Sequence, residues 1–162
     1  MLSIAASNLK DWLQAYVAFE EKLDEEYEQY RYIEAKAMTI GATEISDMPK
    51  GASGDSDKLA AFLIQKEQIL DRIQRDVAKH DMDRQAILRA LQDLAYGEAT
   101  VIKLRYIGCM RWEEIIYRCF GSFDDFHEKR EMYDRRAYRY HDYGLEKMAK
   151  NWTEPKGDFL RP

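Results

Sequence analysis

Two seven-residue series between Leu9 and Ile40 constrain the fold more than any other feature of the chain. Leu9, Tyr16, Leu23, Tyr30 and Ala37 form one; Trp12, Phe19, Glu26, Ile33 and Ile40 form the other, with Glu26 the polar exception. Such a repeat keeps one apolar seam facing a partner helix, so it predicts an amphipathic helix that packs as a coiled coil. The acidic cluster Glu20, Glu21, Asp24, Glu25 and Glu28 falls on the other face and reads as a solvated surface. Gly41 stands where a glycine C-cap would end the helix.

Residues 41–57 hold Pro49, Gly51, Ser53, Gly54 and Ser56 and read as a flexible loop, after which Ser56 or Asp57 can cap a second helix. Its apolar series is Leu59, Phe62, Leu63, Ile69, Leu70, Ile73, Val77, Ile87, Leu91 and Leu94, interrupted by Lys66, His80 and Arg84. Two helices over residues 8–40 and 58–94, joined by a loop, should fold back as an antiparallel hairpin roughly 50 Å long. Residues 1–94 are thus expected to form a helical arm. Trp12, Tyr16, Phe19, Tyr27 and Tyr30 exceed what two helices need to bury, which predicts a homodimer.

The expected fold class is all-α, since the chain carries only three prolines in 162 residues and its apolar residues recur at helical spacing. No run approaches the roughly 18 apolar residues of a membrane span, and Met1 to Lys10 lacks the basic start of a signal peptide, so the expected location is cytoplasmic and no membrane partner is expected. Cys109 and Cys119 read as small buried apolar residues. With His127 and His141 they could make four zinc ligands, but no pair has the close spacing that pre-positions such ligands, and neither metal nor cofactor is expected. A net charge of −5 disfavours phosphate binding until its distribution is counted: residues 1–97 carry 12 basic and 18 acidic side chains, residues 98–162 carry 13 and 12.

After Leu94 the pattern shortens. Gly97 is expected to break the long helix, Glu98 to Ile107 to form a short one packed through Val101, Ile102, Leu104, Tyr106 and Ile107, and Gly108 to supply a turn. Trp112 to Cys119 reads as the next helix, with Glu113 and Glu114 complementing the dipole of its first turn and Ile115, Ile116 and Cys119 facing inward. Two short helices joined by a Gly-containing turn are the sequence form of a helix-turn-helix. From about Asp125 the chain is helical again, with Ala137, His141, Gly144, Leu145 and Met148 on one face and Arg135, Arg136, Arg139, Tyr143 and Lys150 on the other. Arginines interleaved with tyrosines suit a DNA groove; Asp142 and Glu146 on the same side weigh toward an ordinary solvated face. Residues 95–150 are therefore expected to form a DNA-binding domain, followed by a tail over 151–162.

The segments Tyr106-Ile107-Gly108, Trp112-Glu113-Glu114-Ile115 and Arg135-Arg136-Ala137-Tyr138-Arg139-Tyr140-His141 together resemble the ArpU/RinA-like phage regulators, a family related to region four of sigma factors. Met48-Pro49-Lys50-Gly51 followed by Ser56-Asp57-Lys58-Leu59-Ala60 resembles the element between the two arm helices of that family, and the likeness spans about residues 45 to 150. It implies a phage- or prophage-encoded regulator of late genes that binds double-stranded DNA in a bacterial host, with RNA polymerase as a further candidate partner. Arg135, Arg136 and Arg139 would be its base-reading residues, with Tyr138, Tyr143, Arg111, Lys129 and Lys150 beside them on DNA. Phe120 to Met132 is longer than the family's turn and reads as an extra turn of helix carrying Lys129 and Arg130.

Two other functions fit the same pattern. A small-terminase-like packaging protein also joins a helix-turn-helix to oligomerising helices, and would form a ring of roughly eight or more copies. A helical adaptor binding only proteins would suit the acidic arm. An enzyme is not expected, because the chain has no Gly-rich phosphate loop and no nucleophile motif.

Overall fold

The computed structural model describes residues 2–44 and 53–155, with side chains over 2–39 and 57–155. It is all-α: α1 (Ile4–Glu44), α2 (Ser53–Ala90), α3 (Tyr96–Ile102), α4 (Trp112–Phe120) and α5 (Arg130–Asn151), with a 3₁₀ turn at Leu91–Asp93 and a π turn at Lys103–Ile107. There is no strand among the described residues. Nor does any described helix have the length and apolarity to cross a membrane.

The chain divides into two compact units, Glu20–Lys79 and Met1–Phe19 with His80–Pro162. In the first, α1 and α2 run antiparallel, as the ion pairs show. Lys22 meets Asp76 at 3.2 Å, Glu26 meets Arg72 at 3.2 Å and Glu34 meets Lys66 at 2.7 Å, the α2 number falling as the α1 number rises. Leu23, Ile33 and Ala37 are buried with Ile69 and Ile73, so the seven-residue series of α1 is the seam. Glu26 is buried in it, one carboxylate oxygen shared between Lys22 and Arg72 and the other without a hydrogen-bond partner.

Three expectations for the hairpin need correction. α1 continues to Glu44, so Gly41 lies inside the helix; a cost of about 1 kcal/mol for glycine is easily carried by so long an element. α2 begins at Ser53, ahead of Ser56 and Asp57, and with Gly41 to Glu44 also helical the expected loop over 41–57 contracts at both ends. The Met48 to Gly51 element lies outside the described residues. Finally, Leu63, Leu70 and Val77 are exposed. The α2 seam runs through Phe62, Lys66, Ile69 and Ile73, spaced alternately four and three, and each of the three exposed residues stands seven from the next on its flank.

The second unit has one main core, to which α1 gives Ala6, Leu9, Leu13 and Tyr16, the end of α2 gives Ile87 and Leu91, and the C-terminal elements give Ile102, Tyr106, Leu145 and Met148. Residues 1–19 and 80–94 of the expected arm thus pack with α3 and α5. Trp152, expected in a tail, meets Trp12 edge-on with ring centres 4.8 Å apart. Tyr16 stacks on His80 at 4.3 Å and Phe19 lies 5.8 Å from the same ring, while in the hairpin unit Lys66 sits over Tyr30. Of the five rings counted as surplus, Tyr27 alone is exposed, at 41%.

α2 and α3 separate at Leu94 and Ala95, both extended, so Gly97 is not the break but part of the first turn of α3. Its smallness answers a packing need: a β-carbon there would lie 2.7 Å from the ring of Tyr140.

Candidate nucleic-acid interface

α5 is held by its inner face. Its first half packs Tyr133 and Ala137 against Ile116, Phe120 and Phe126, and its second half sets Leu145 and Met148 in the main core. Gly144 lets α5 approach α3 so closely that a β-carbon would collide with Ile102. Polar ties reinforce the packing. Lys147 donates to both oxygens of the buried Glu98 carboxylate, at 2.7 and 2.8 Å, and that carboxylate also accepts the N–H of Ala95, the N-cap of α3. The hydroxyl of Tyr106 lies 2.9 Å from Nε2 of His141, whose Nδ1 is 3.1 Å from Asp142. Burial pushes the imidazole below its ordinary pKa, so the neutral ring fits, with Tyr106 donating to Nε2 and Nδ1–H donating to Asp142. Burial likewise pushes the Tyr106 phenol up to about 12.

α3 passes through its π turn into the segment Gly108–Arg111. Met110 N–H donates to Leu104 O, and Arg105 donates to Met110 O while lying over the Trp112 ring. The left-handed residue of this turn is Cys109, at φ 49°, and not Gly108, whose backbone is right-handed. Gly108 is required instead by a close approach, since a β-carbon would lie 2.9 Å from Leu104 O. Cys109 is exposed, contrary to its reading as a buried apolar residue, because the turn lifts it from the core. Among the described residues no three metal-ligating side chains cluster. α4 then begins at Trp112, with the Glu114 carboxylate accepting the Arg111 N–H at 2.9 Å; Ile115 and Ile116 point inward.

Between α4 and α5 the chain does not add the expected turn of helix. Residues 121–129 form successive turns, with α5 starting at Arg130 and Lys129 at its N-cap. The reason is an aromatic cluster invisible to helical periodicity: the Tyr133 ring lies 5.1, 5.6 and 5.8 Å from those of Phe120, Phe123 and Phe126, the last only 1% exposed. Asp125 locks the segment by accepting from Tyr133 Oη at 2.6 Å and from Lys129 at 2.7 Å, contacts that hold its carboxyl below the usual range.

On this frame Arg135, Arg136, Tyr138, Arg139, Tyr143 and Lys150 are all exposed on α5. Arg135 and Arg139, one turn apart, line a shallow depression of about 570 Å³ with Lys129, Arg130 and the acids Glu128 and Glu131. Lys129, Arg130 and Arg135 each pair with an acid four residues away on the chain: Asp125, Asp134 and Glu131. Arg136 differs, donating to Tyr140 Oη at 2.9 Å and lying over the Phe120 ring. Trp112 and Tyr138 rings lie 4.4 Å apart, which brings Arg111 at the start of α4 beside the middle of α5. Lys150 stands in the last turn, about 20 residues and so roughly 30 Å from Lys129.

Of the two acids that weighed against this face, Glu146 is turned aside and Asp142 stays exposed. Glu146 accepts from the backbone N–H and hydroxyl of Ser3, which lowers its pKa, and Asp142 lies beside His141. Comparison with protein-family models, curated proteins and solved structures finds no match.

Proposed function

We propose that this chain is a sequence-specific DNA-binding regulator of transcription, phage- or prophage-encoded, that reads double-stranded DNA through α5 and acts on late genes in its bacterial host. The observation that carries the reading is the asymmetry of α5. Its inner face is fixed by Tyr133, Ala137, His141, Leu145 and Met148, while Arg135, Arg136, Arg139, Tyr138 and Tyr143 stand on the outer one and outnumber the exposed acids Glu131 and Asp142. A rigid helix presenting bidentate donors is what base reading in a major groove requires, and lysines at its ends suit the flanking phosphates. The i, i+4 acids are no obstacle, because exposed pairs of this kind contribute only about 0.3–0.5 kcal/mol and exchange readily for phosphate.

Binding as a homodimer belongs to the same reading, on the ground that one head of this size makes few contacts. The aromatic surplus no longer supports it, as four of the five rings have partners within the chain. Contact with RNA polymerase would follow from the sigma-like resemblance.

The test is selection of bound duplexes from a random pool, followed by titration of the selected sequence and a scrambled one. A selected motif bound at least about a thousandfold more tightly than scrambled DNA is expected. Equal, weak binding of both would overturn sequence-specific reading.

A further inference from the structure

We propose that one flank of the hairpin unit is a docking surface for a basic amphipathic helix of a partner protein. In an antiparallel pair, the residues that follow the seam on each helix fall on the same side, as right-handed helices of opposite direction turn toward a common flank. On α2 these are Leu63, Leu70 and Val77, following Phe62, Ile69 and Asp76; on α1, Tyr27 follows Glu26. All four are exposed, at 48%, 36%, 39% and 41%. Seven-residue spacing of apolar side chains on an outer flank is the geometry that receives a further helix.

Charge decides which helix. Glu67 stands one turn from both Leu63 and Leu70, Asp24 stands one turn from Tyr27, and both are exposed. Arg31, the cation one turn beyond Tyr27, is paired with Glu28 at 3.1 Å. Residues 20–79 hold 9 basic and 14 acidic side chains, while the remainder of the chain holds 16 of each, so the whole net charge of −5 belongs to this unit. A second copy would set an acidic rim against itself, whereas a helix with lysines or arginines beside a leucine stripe meets apolar with apolar and acid with base.

The probe is a synthetic helix of about three heptads with leucine at the seam and lysine on both flanks, compared with its glutamate-flanked counterpart. Fluorescence anisotropy with the full chain should show micromolar binding of the lysine helix, weakened by salt, and none of the glutamate helix. The triple variant Leu63→Gln, Leu70→Gln, Val77→Gln, at sites exposed enough to leave helicity by circular dichroism unchanged, should bind at least about tenfold more weakly, as should Asp24→Lys with Glu67→Lys. No binding, or equal binding by the triple variant, would overturn the proposal, the latter by showing mere charge attraction. A dimer mass in light scattering that the triple variant abolishes would overturn it in favour of a second copy. None of these readouts involves DNA, so the surface and the DNA reading fail separately.

Discussion

His141 couples the packing of α5 to pH. Its neutral ring is favoured by burial, so its folded pKa lies below the unfolded value of about 6.5. Its stabilising contribution is therefore complete above pH 6.5, and is lost as pH falls because the unfolded chain takes up a proton that the native ring refuses. The unfolding free energy from urea titrations should decline between pH 7 and 5 with a slope of up to about 1.4 kcal/mol per pH unit from this residue, and His141→Gln should flatten that slope. A variant as steep as the parent would refute the assignment. The exposed arginines divide differently. Arg135→Ala and Arg139→Ala should weaken specific DNA binding by about 1–3 kcal/mol and leave the melting temperature unchanged, since neither side chain covers the core. Arg136→Ala should also cost about 0.5–1 kcal/mol of stability, because it removes the cation over Phe120 and the bond to Tyr140. Loss of stability without loss of DNA affinity at all three positions would remove α5 as the reading helix.

Within the hairpin, Leu23→Ala or Ile73→Ala should each cost about 2–5 kcal/mol in chemical unfolding, and a cost near zero at both would mean a misplaced seam. Glu26→Leu should behave oppositely. It removes a buried carboxylate with one unpartnered oxygen, and the cations it leaves, Lys22 and Arg72, are about half exposed and can turn to water. The unfolding free energy is expected to hold or rise; a fall of more than about 2 kcal/mol would show that the charge network, not the apolar seam, carries the pairing. These helices were legible in the sequence because buried residues spaced alternately three and four recur along the seam of each in the hairpin unit. The inner face of α5, from Ala137 to Met148, was legible for the same reason. What periodicity does not encode is the start of α5, set by rings from Phe120, Phe123 and Phe126 meeting Tyr133, and the ends of helices where no cap is obligatory, as at Gly41 and Ser53. The tie from Ser3 to Glu146 spans almost the entire chain, and no local pattern announces it.

At the scale of the whole molecule, the unit bearing the candidate interface is assembled from both ends of the chain, which changes how the protein can be cut. A fragment starting at Ala95 would retain α3, α4 and α5 and look from the sequence like a self-sufficient helix-turn-helix. It would lack Ala6, Leu9, Leu13, Tyr16, Ile87 and Leu91, which are six of the ten buried residues of the main core. Ile102, Tyr106, Leu145 and Met148 would then face water, and each fully exposed side chain of this size forfeits roughly 1.5–3 kcal/mol. That loss is comparable to the whole stability of a small domain, about 5–15 kcal/mol. The fragment over residues 95–155 is thus expected to show no cooperative thermal transition by circular dichroism and little DNA affinity, despite carrying every candidate contact. The full chain with Leu13→Ala, a position fully buried, should lose about 2–5 kcal/mol yet bind DNA normally at temperatures where it remains folded. A cooperative fragment with parental affinity would show that the N-terminal helix merely lies against a domain able to fold without it.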